Sequence, residues 1–266
     1  MLIVGERINA TRLAIKNALQ ERNAEAIKGE ARRQAEAGAD YLDVNGGSTP
    51  AEELDNMLWL CDVVQAEVDL PLCLDSASAE VLAAGLARSR NGRPMVNSIT
   101  LEAGRHERIL PLVKEHQARV VALPLSDSGI PRTAADRLRG VERIVVEVTR
   151  LGIPLEDVYV DPMVMALGSD GSAGLVLMET LRGIKKGWPE LRTTVGLSNV
   201  SFGLPNRRLL NRTFLAMLMG LGLDAAIVDP LDPQIMATAA AGVALLGRDE
   251  DCMEYLKAYR AKKLSV

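Results

Sequence analysis

The chain has 266 residues, 48% hydrophobic and 25% charged, with a net charge of −4. This is enough to bury a sizeable core, while 3% aromatics and the acidic balance argue against a nucleic-acid-binding surface as the main role. No apolar run approaches the ~20 residues of a membrane-spanning helix. The N-terminus, Met1-Leu2-Ile3-Val4-Gly5-Glu6-Arg7, lacks a basic segment ahead of an apolar block, so no signal peptide is expected. Three separated cysteines, Cys61, Cys73 and Cys252, form no CxxC or Cys/His pair. They fit a reducing compartment and argue against structural zinc, so we expect a cytoplasmic protein with no nucleic-acid or membrane partner and no protein-bound metal.

In chain order, β-type runs at Leu2–Asn9, 41–46, 72–76, 95–99, 120–125, 158–164, 193–199 and 225–229 alternate with helical segments. The clearest helical patterns are Ala24–Ala37, 51–67, Ala134–Arg150 and 206–220, and 249–263 reads as an extra C-terminal helix. Helices end at Gly38 and Gly222 just before strands, where glycine supplies the left-handed cap. About eight β-then-α units with no linker or composition break predict a single domain over 1–266, a (β/α)8 TIM barrel. A doubly wound open sheet is the alternative.

In such a barrel the site lies at the C-terminal ends of the strands. Those ends carry Glu6 and Asn9, Asp43 and Asn45, Asp75 and Ser76, Asn97 and Ser98, Asp161, Ser198 and Asn199, and Asp229. The starts show no such enrichment, so these residues are expected to converge on one cavity. His106 and His116 fall in the helical segment after the fourth strand and read as a solvated face, which leaves a Ser-His-Asp triad hard to build. Gly168-Ser169-Asp170-Gly171-Ser172-Ala173-Gly174 lacks the tight spacing of a phosphate cradle and reads as a mobile βα loop.

Carboxylates and amides on a rigid rim suit a flat nitrogen heterocycle such as a 2-amino-4-oxo-pteridine. A carboxylate accepts from an amino group and an adjacent ring N–H, and an amide both donates and accepts. Asp75, Asn97 and Asp161 are of the right types. Asp75, ahead of Ser76-Ala77-Ser78, could instead cap the next helix, and Asp43 and Asp229 could be structural.

Six motifs carry a family resemblance over nearly the whole chain. They are Gly5-Glu6-Arg7-Ile8-Asn9, Leu42-Asp43-Val44-Asn45, Leu74-Asp75-Ser76, Val96-Asn97-Ser98, Val160-Asp161-Pro162 and Gly196-Leu197-Ser198-Asn199-Val200-Ser201-Phe202-Gly203-Leu204-Pro205. The chain resembles the pterin-binding methyltransferases that transfer a methyl group between methyltetrahydrofolate and corrinoid proteins, including relatives in anaerobic demethylation. Dihydropteroate synthases and the folate- and cobalamin-binding part of methionine synthase are similar at greater distance.

The resemblance implies that Asp75, Asn97 and Asp161 hold the pterin, that Asn199 sits near N5 as the catalytic side chain, and that Gly196 and Ser198 line the same strand end. Arg207, Glu6 and Asp43 are assigned to the rim or the glutamate tail. Tetrahydrofolate or 5-methyltetrahydrofolate is then the substrate. The cobalamin is expected on a separate corrinoid protein, because the chain ends soon after the eighth unit. A homodimer is also implied, with the apolar face Leu209, Leu210, Phe214, Leu215, Met217 and Leu218 either packing on the barrel or forming the seam. The direction of transfer stays open. A dihydropteroate synthase-like condensing enzyme, using Arg207-Arg208 for pyrophosphate, and a non-catalytic folate-binding protein are the alternatives.

Overall fold

The computed structural model describes residues 1–47 and 50–264. Among these, the strands are β1 (Leu2–Asn9), β2 (Tyr41–Asn45), β3 (Leu72–Asp75), β4 (Met95–Thr100), β5 (Arg119–Leu123), β6 (Val158–Val160), β7 (Arg192–Thr193) and β8 (Ala225–Val228). The intervening helices are α1 (Leu13–Gln20) and α2 (Ala24–Ala37) after β1, then α3 (Pro50–Gln65), α4 (Ala79–Arg88), α5 (Arg105–Glu115), α6 (Ala134–Arg150), α7 (Ala173–Gly187) and α8 (Arg207–Gly220). After β8 come α9 (Pro233–Leu245) and α10 (Met253–Arg260).

All pairings between these eight strands are parallel, in the order β7-β6-β5-β4-β3-β2-β1-β8. The ring closes between its ends by a bridge from Gly196 to Ile227, where the Ile227 N–H donates to the Val195 carbonyl at 2.9 Å. This is the expected (β/α)8 barrel, not the open sheet. The helices pack their apolar stripes on the strands through a layer that includes Ile27, Leu42, Leu60, Leu74, Val120 and Ile144. A smaller cluster fills the barrel interior, with Val4, Tyr41, Cys73, Met95, Val121, Tyr159 and Ala225. Gly38 caps α2 at φ 105°, and Gly222 follows α8 at φ 97°, the conformations a side chain resists.

Several boundaries differ from the sequence expectation for local reasons. β5 stops at Leu123 because Pro124 cannot donate to a ladder. β6 stops at Val160, since Pro162 follows and Met163 adopts a left-handed φ of 71°. The expected strand 193–199 is only two residues long, and Leu197–Ser201 forms a 3-10 helix. The C-terminal segment 249–263 is a 3-10 turn followed by α10, broken where Asp251 and Cys252 take φ of 52° and 55°.

His106 is not on a solvated face. It is 8% exposed, packed with the buried side of α5. On α8, Phe214, Leu215 and Leu218 are buried, whereas Leu209 and Met217 remain 44% and 47% exposed. The expected apolar face therefore divides between packing and surface.

Candidate functional site

Strand period places the site. Successive side chains alternate faces, so inward-pointing Tyr41, Cys73, Met95 and Tyr159 are followed two residues later by inward-pointing Asp43, Asp75, Asn97 and Asp161. The registers Asp43↔Cys73, Cys73↔Met95 and Asp75↔Asn97 bind these positions into adjacent layers. The lower layer is apolar and closes the barrel; the upper layer is polar and floors a cavity of about 680 Å³. β5 and β8 contribute the apolar Leu123 and Ile227 to its lining. The cavity thus offers hydrogen-bonding groups on its floor and some hydrocarbon on its walls.

Asp43, Asp75, Asn97, Asp161, Gly196, Ser198, Asn199, Glu6 and Arg207 all line this one cavity. Asp43, assigned to the rim or tail, is instead 3% exposed on the floor, where its Oδ1 accepts from Asn97 Nδ2 at 3.1 Å. Asp75 does not cap the next helix; Ser78 does, accepting from the Val81 N–H. The Asp75 Oδ2 accepts from Asn45 Nδ2 at 3.0 Å. Burial, then the nearby Asp75 carboxylate, raise the Asp43 carboxyl well above the ordinary range, and burial also raises Asp75. The floor accordingly favours holding a proton until a ligand brings its own donors.

Burial also pushes the Asp161 carboxyl up to about 6, against the opposing effect of N–H donation from Met163 and Gly196 and of the Arg137 charge. The Met163 N–H lies 2.7 Å from Asp161 Oδ1. Glu6 is raised by burial too, with Arg12 opposing.

Asn199 stands on the 3-10 turn that replaces the end of the seventh strand. Glycine and short polar residues at 196–199 favour a turn over a continued ladder, and the Asn199 N–H donates to the Gly196 carbonyl at 3.3 Å. Among the described residues its exposed amide has no side-chain hydrogen-bond partner, so both of its polar atoms are available to a ligand. Gly196 makes room for it: a Cβ there would lie 3.2 Å from Asn199 Nδ2. Arg207 secures the turn from α8, donating to the Ser198 carbonyl at 2.7 Å and to Ser201 Oγ at 3.0 Å, with its guanidinium 6.0 Å from the Phe202 ring centroid.

Arg7, Arg12, Asn211 and Asp232 join the strand-end residues in the lining. Arg7 pairs with Glu30 and, at 2.6 Å, with Asp229. Arg12 lies 3.6 Å from both Glu6 and Asp229. Arg208, Asn211 and Asp232 complete that wall. Arg7 was visible inside the first motif, but its partners come from α2 and the end of β8, remote in sequence. Among the described residues no three His, Cys, Asp or Glu side chains gather as a metal site.

Comparisons with known proteins agree with this geometry. The chain is 35% identical over 266 residues to the methylcorrinoid:tetrahydrofolate methyltransferase of Eubacterium limosum, covering 99% of this chain and 98% of that one. It is 33% identical over 241 residues to methionine synthase of Mycobacterium tuberculosis, covering 86% of this chain but only 20% of that longer protein. Dihydropteroate synthase from Xanthomonas albilineans, solved with 7,8-dihydropteroate, superposes with a TM-score of 0.73 at 21% identity over 94% of each chain, a likeness of fold. The family model for pterin binding enzymes matches residues 5–229, from the motif in β1 to the aspartate after β8, and so takes in every strand end that builds the cavity. The chain belongs to the pterin binding enzymes.

Proposed function

We propose that this protein is a corrinoid-dependent methyltransferase that moves a methyl group between N5 of tetrahydrofolate and the cobalt of a corrinoid borne by a separate protein. The observation that carries the reading is a cavity pairing a carboxylate-and-amide floor with an Asn199 amide that has no side-chain partner among the described residues. It occurs in a chain alike over 99% of its length to a methylcorrinoid:tetrahydrofolate methyltransferase. That relative's name supports the direction from methylcorrinoid to tetrahydrofolate. The dihydropteroate synthase alternative rests on likeness of fold and on Arg207 and Arg208 in the cavity wall.

In this reading Asp75 and Asp161 accept from the pterin amino group and ring N–H groups, while Asn97 supplies a mixed edge. Asn199 faces N5. In the assigned direction the N5 lone pair forms the new N–C bond, the electron pair of the broken Co–C bond stays on cobalt, and the N5 proton leaves. An amide oxygen accepts that N–H and an amide NH2 donates to the N5 lone pair, so Asn199 serves N5 in either protonation state. Catalysis is then mainly orientation and electrostatic support, without a covalent protein intermediate. The cavity's open mouth is the approach for the corrinoid protein. The reading includes a cytoplasmic, anaerobic setting and a homodimer using the exposed Leu209 and Met217 on α8, to be sized by light scattering. Among the described residues no helix is long and apolar enough to cross a membrane.

The test is to mix the protein with tetrahydrofolate and methylcobalamin, and separately with methyltetrahydrofolate and Co(I) cobalamin, and to follow the cobalt spectrum. Methyl transfer is expected. Pterin binding without transfer in either direction would overturn the reading in favour of a non-catalytic folate-binding protein.

A further inference from the structure

Among the described residues, the largest fully buried side chain is a cation, Arg137 on α6, 2% exposed. Burying a guanidinium is costly unless its donors are satisfied. Here Nη1 donates to the carbonyls of Pro162 at 2.7 Å and Met163 at 2.9 Å, and Nε donates to Pro131 at 3.1 Å. Among the described residues no carboxylate is bonded to it. One side chain thus ties the segment before α6 to the segment after β6.

The second segment matters to the site. Met163, whose carbonyl Arg137 holds, is the residue at φ 71° and the one whose N–H bonds to Asp161 Oδ1 at 2.7 Å. A non-glycine residue keeps such a backbone conformation only when its surroundings over-determine it. The charges facing one another are few. Arg137 is the charged group that acts on Asp161; Arg137 in turn feels Asp161 and Asp170; and Asp170 feels Arg132 and Arg137.

We infer that Arg137 is a positioning residue for the pterin site: by clamping the Pro162 and Met163 carbonyls it sets the Met163 N–H and, through it, the orientation and charge of Asp161. This rests on the pterin reading of the cavity. Arg137 touches no substrate in this arrangement. It lies on α6, outside the cavity lining. A carboxylate partner would cancel its field, whereas neutral carbonyls leave the positive charge acting on Asp161.

The test uses Arg137→Met and Arg137→Lys, with tetrahydrofolate titrated under anaerobic conditions between pH 5 and 8. The wild type is expected to bind more tightly as pH rises, with Asp161 ionising near 6 and the raised Asp43 and Asp75 carboxyls contributing equally in wild type and variants, so the readout is the difference between them. For Arg137→Met the expectation is affinity about 10- to 100-fold weaker at pH 7 and a midpoint moved upward, because the positive charge and the Met163 N–H both favour the ionised Asp161. Arg137→Lys keeps the charge without the fork, so it should recover part of the midpoint shift but not the full affinity. The split also matters: KM should rise more than kcat falls. Should Arg137→Met not fold, the lysine variant decides. Folded variants that bind within twofold of wild type, with an unchanged midpoint, overturn the inference, even if their thermal stability falls. A wild type that binds no tetrahydrofolate overturns the pterin reading and this inference with it.

Discussion

Replacing Asp161 by asparagine should stabilise the protein at neutral pH while impairing ligand binding. In the folded chain without ligand, burial raises this carboxyl from 3.8 to about 6. The native state therefore binds more protons than the unfolded chain between these values. Stability from this group is fully present below about pH 4 and is lost as pH rises through about 6. The shift corresponds to about 3 kcal/mol at pH 8. The introduced amide is nearly isosteric with the carboxyl, keeps an acceptor for the Met163 N–H, and has no charge to desolvate. Asp161→Asn should match the wild type at pH 4 and exceed it by up to about 3 kcal/mol at pH 8. In urea that is a midpoint gain of about 1 M or more. Asp43, Asp75 and Glu6 are also raised, but they remain in both proteins, so the difference isolates Asp161. The assay is equilibrium denaturation of both proteins without ligand at pH 4, 6 and 8. A stability gap that is absent at pH 8, or equal at pH 4 and 8, would refute the reasoning. With tetrahydrofolate the order should reverse, because an amide cannot offer two acceptor oxygens; affinity should fall by about 10- to 100-fold, the value of a hydrogen bond to a charged group.

Two further outcomes concern the turn opposite. Asn199→Ala should lower the single-turnover rate of methyl transfer by about 100-fold with little change in tetrahydrofolate affinity, since its contact matters most as charge changes on N5; a large affinity loss at unchanged rate would make it a binding residue only. Gly196→Ala places a methyl 3.2 Å from Asn199 Nδ2 at an ordinary φ of −75°. The amide must then move by a few tenths of an ångström, for about a tenfold loss of rate without a change in melting temperature. An unchanged rate would show that the Asn199 position is not critical.

The site was legible where its signal is local. A carboxylate or amide two residues beyond an inward apolar residue is visible in Tyr41-Leu42-Asp43, Cys73-Leu74-Asp75, Met95-Val96-Asn97 and Tyr159-Val160-Asp161. Strand period alone carries such residues to the barrel mouth. The position of Asn199 at the cavity was legible through its motif, although the strand expected to bear it is a 3-10 turn. That difference arises because glycine and short polar residues weaken a ladder without revealing which turn replaces it. His106 was misplaced although helical period sets it on one side of α5 with Ile109, Leu110 and Val113, the side that is buried.

Closure into a barrel is seen in the bridge from Gly196 to Ile227, whereas what the sequence determined by itself is the succession of β and α units, the parallel sheet they imply, and the end of it that carries the polar residues. These follow from periodicity, which is a property of neighbouring residues. Only the tertiary structure decided that Asp43 lies on the floor with Asp75, that Arg7 and Arg12 meet Asp229, and that Arg137 holds the loop behind Asp161. Each of these depends on groups brought together from different strands and helices. Burial and the electric field at a carboxylate are set by such neighbours in space, and no local pattern along the chain encodes them.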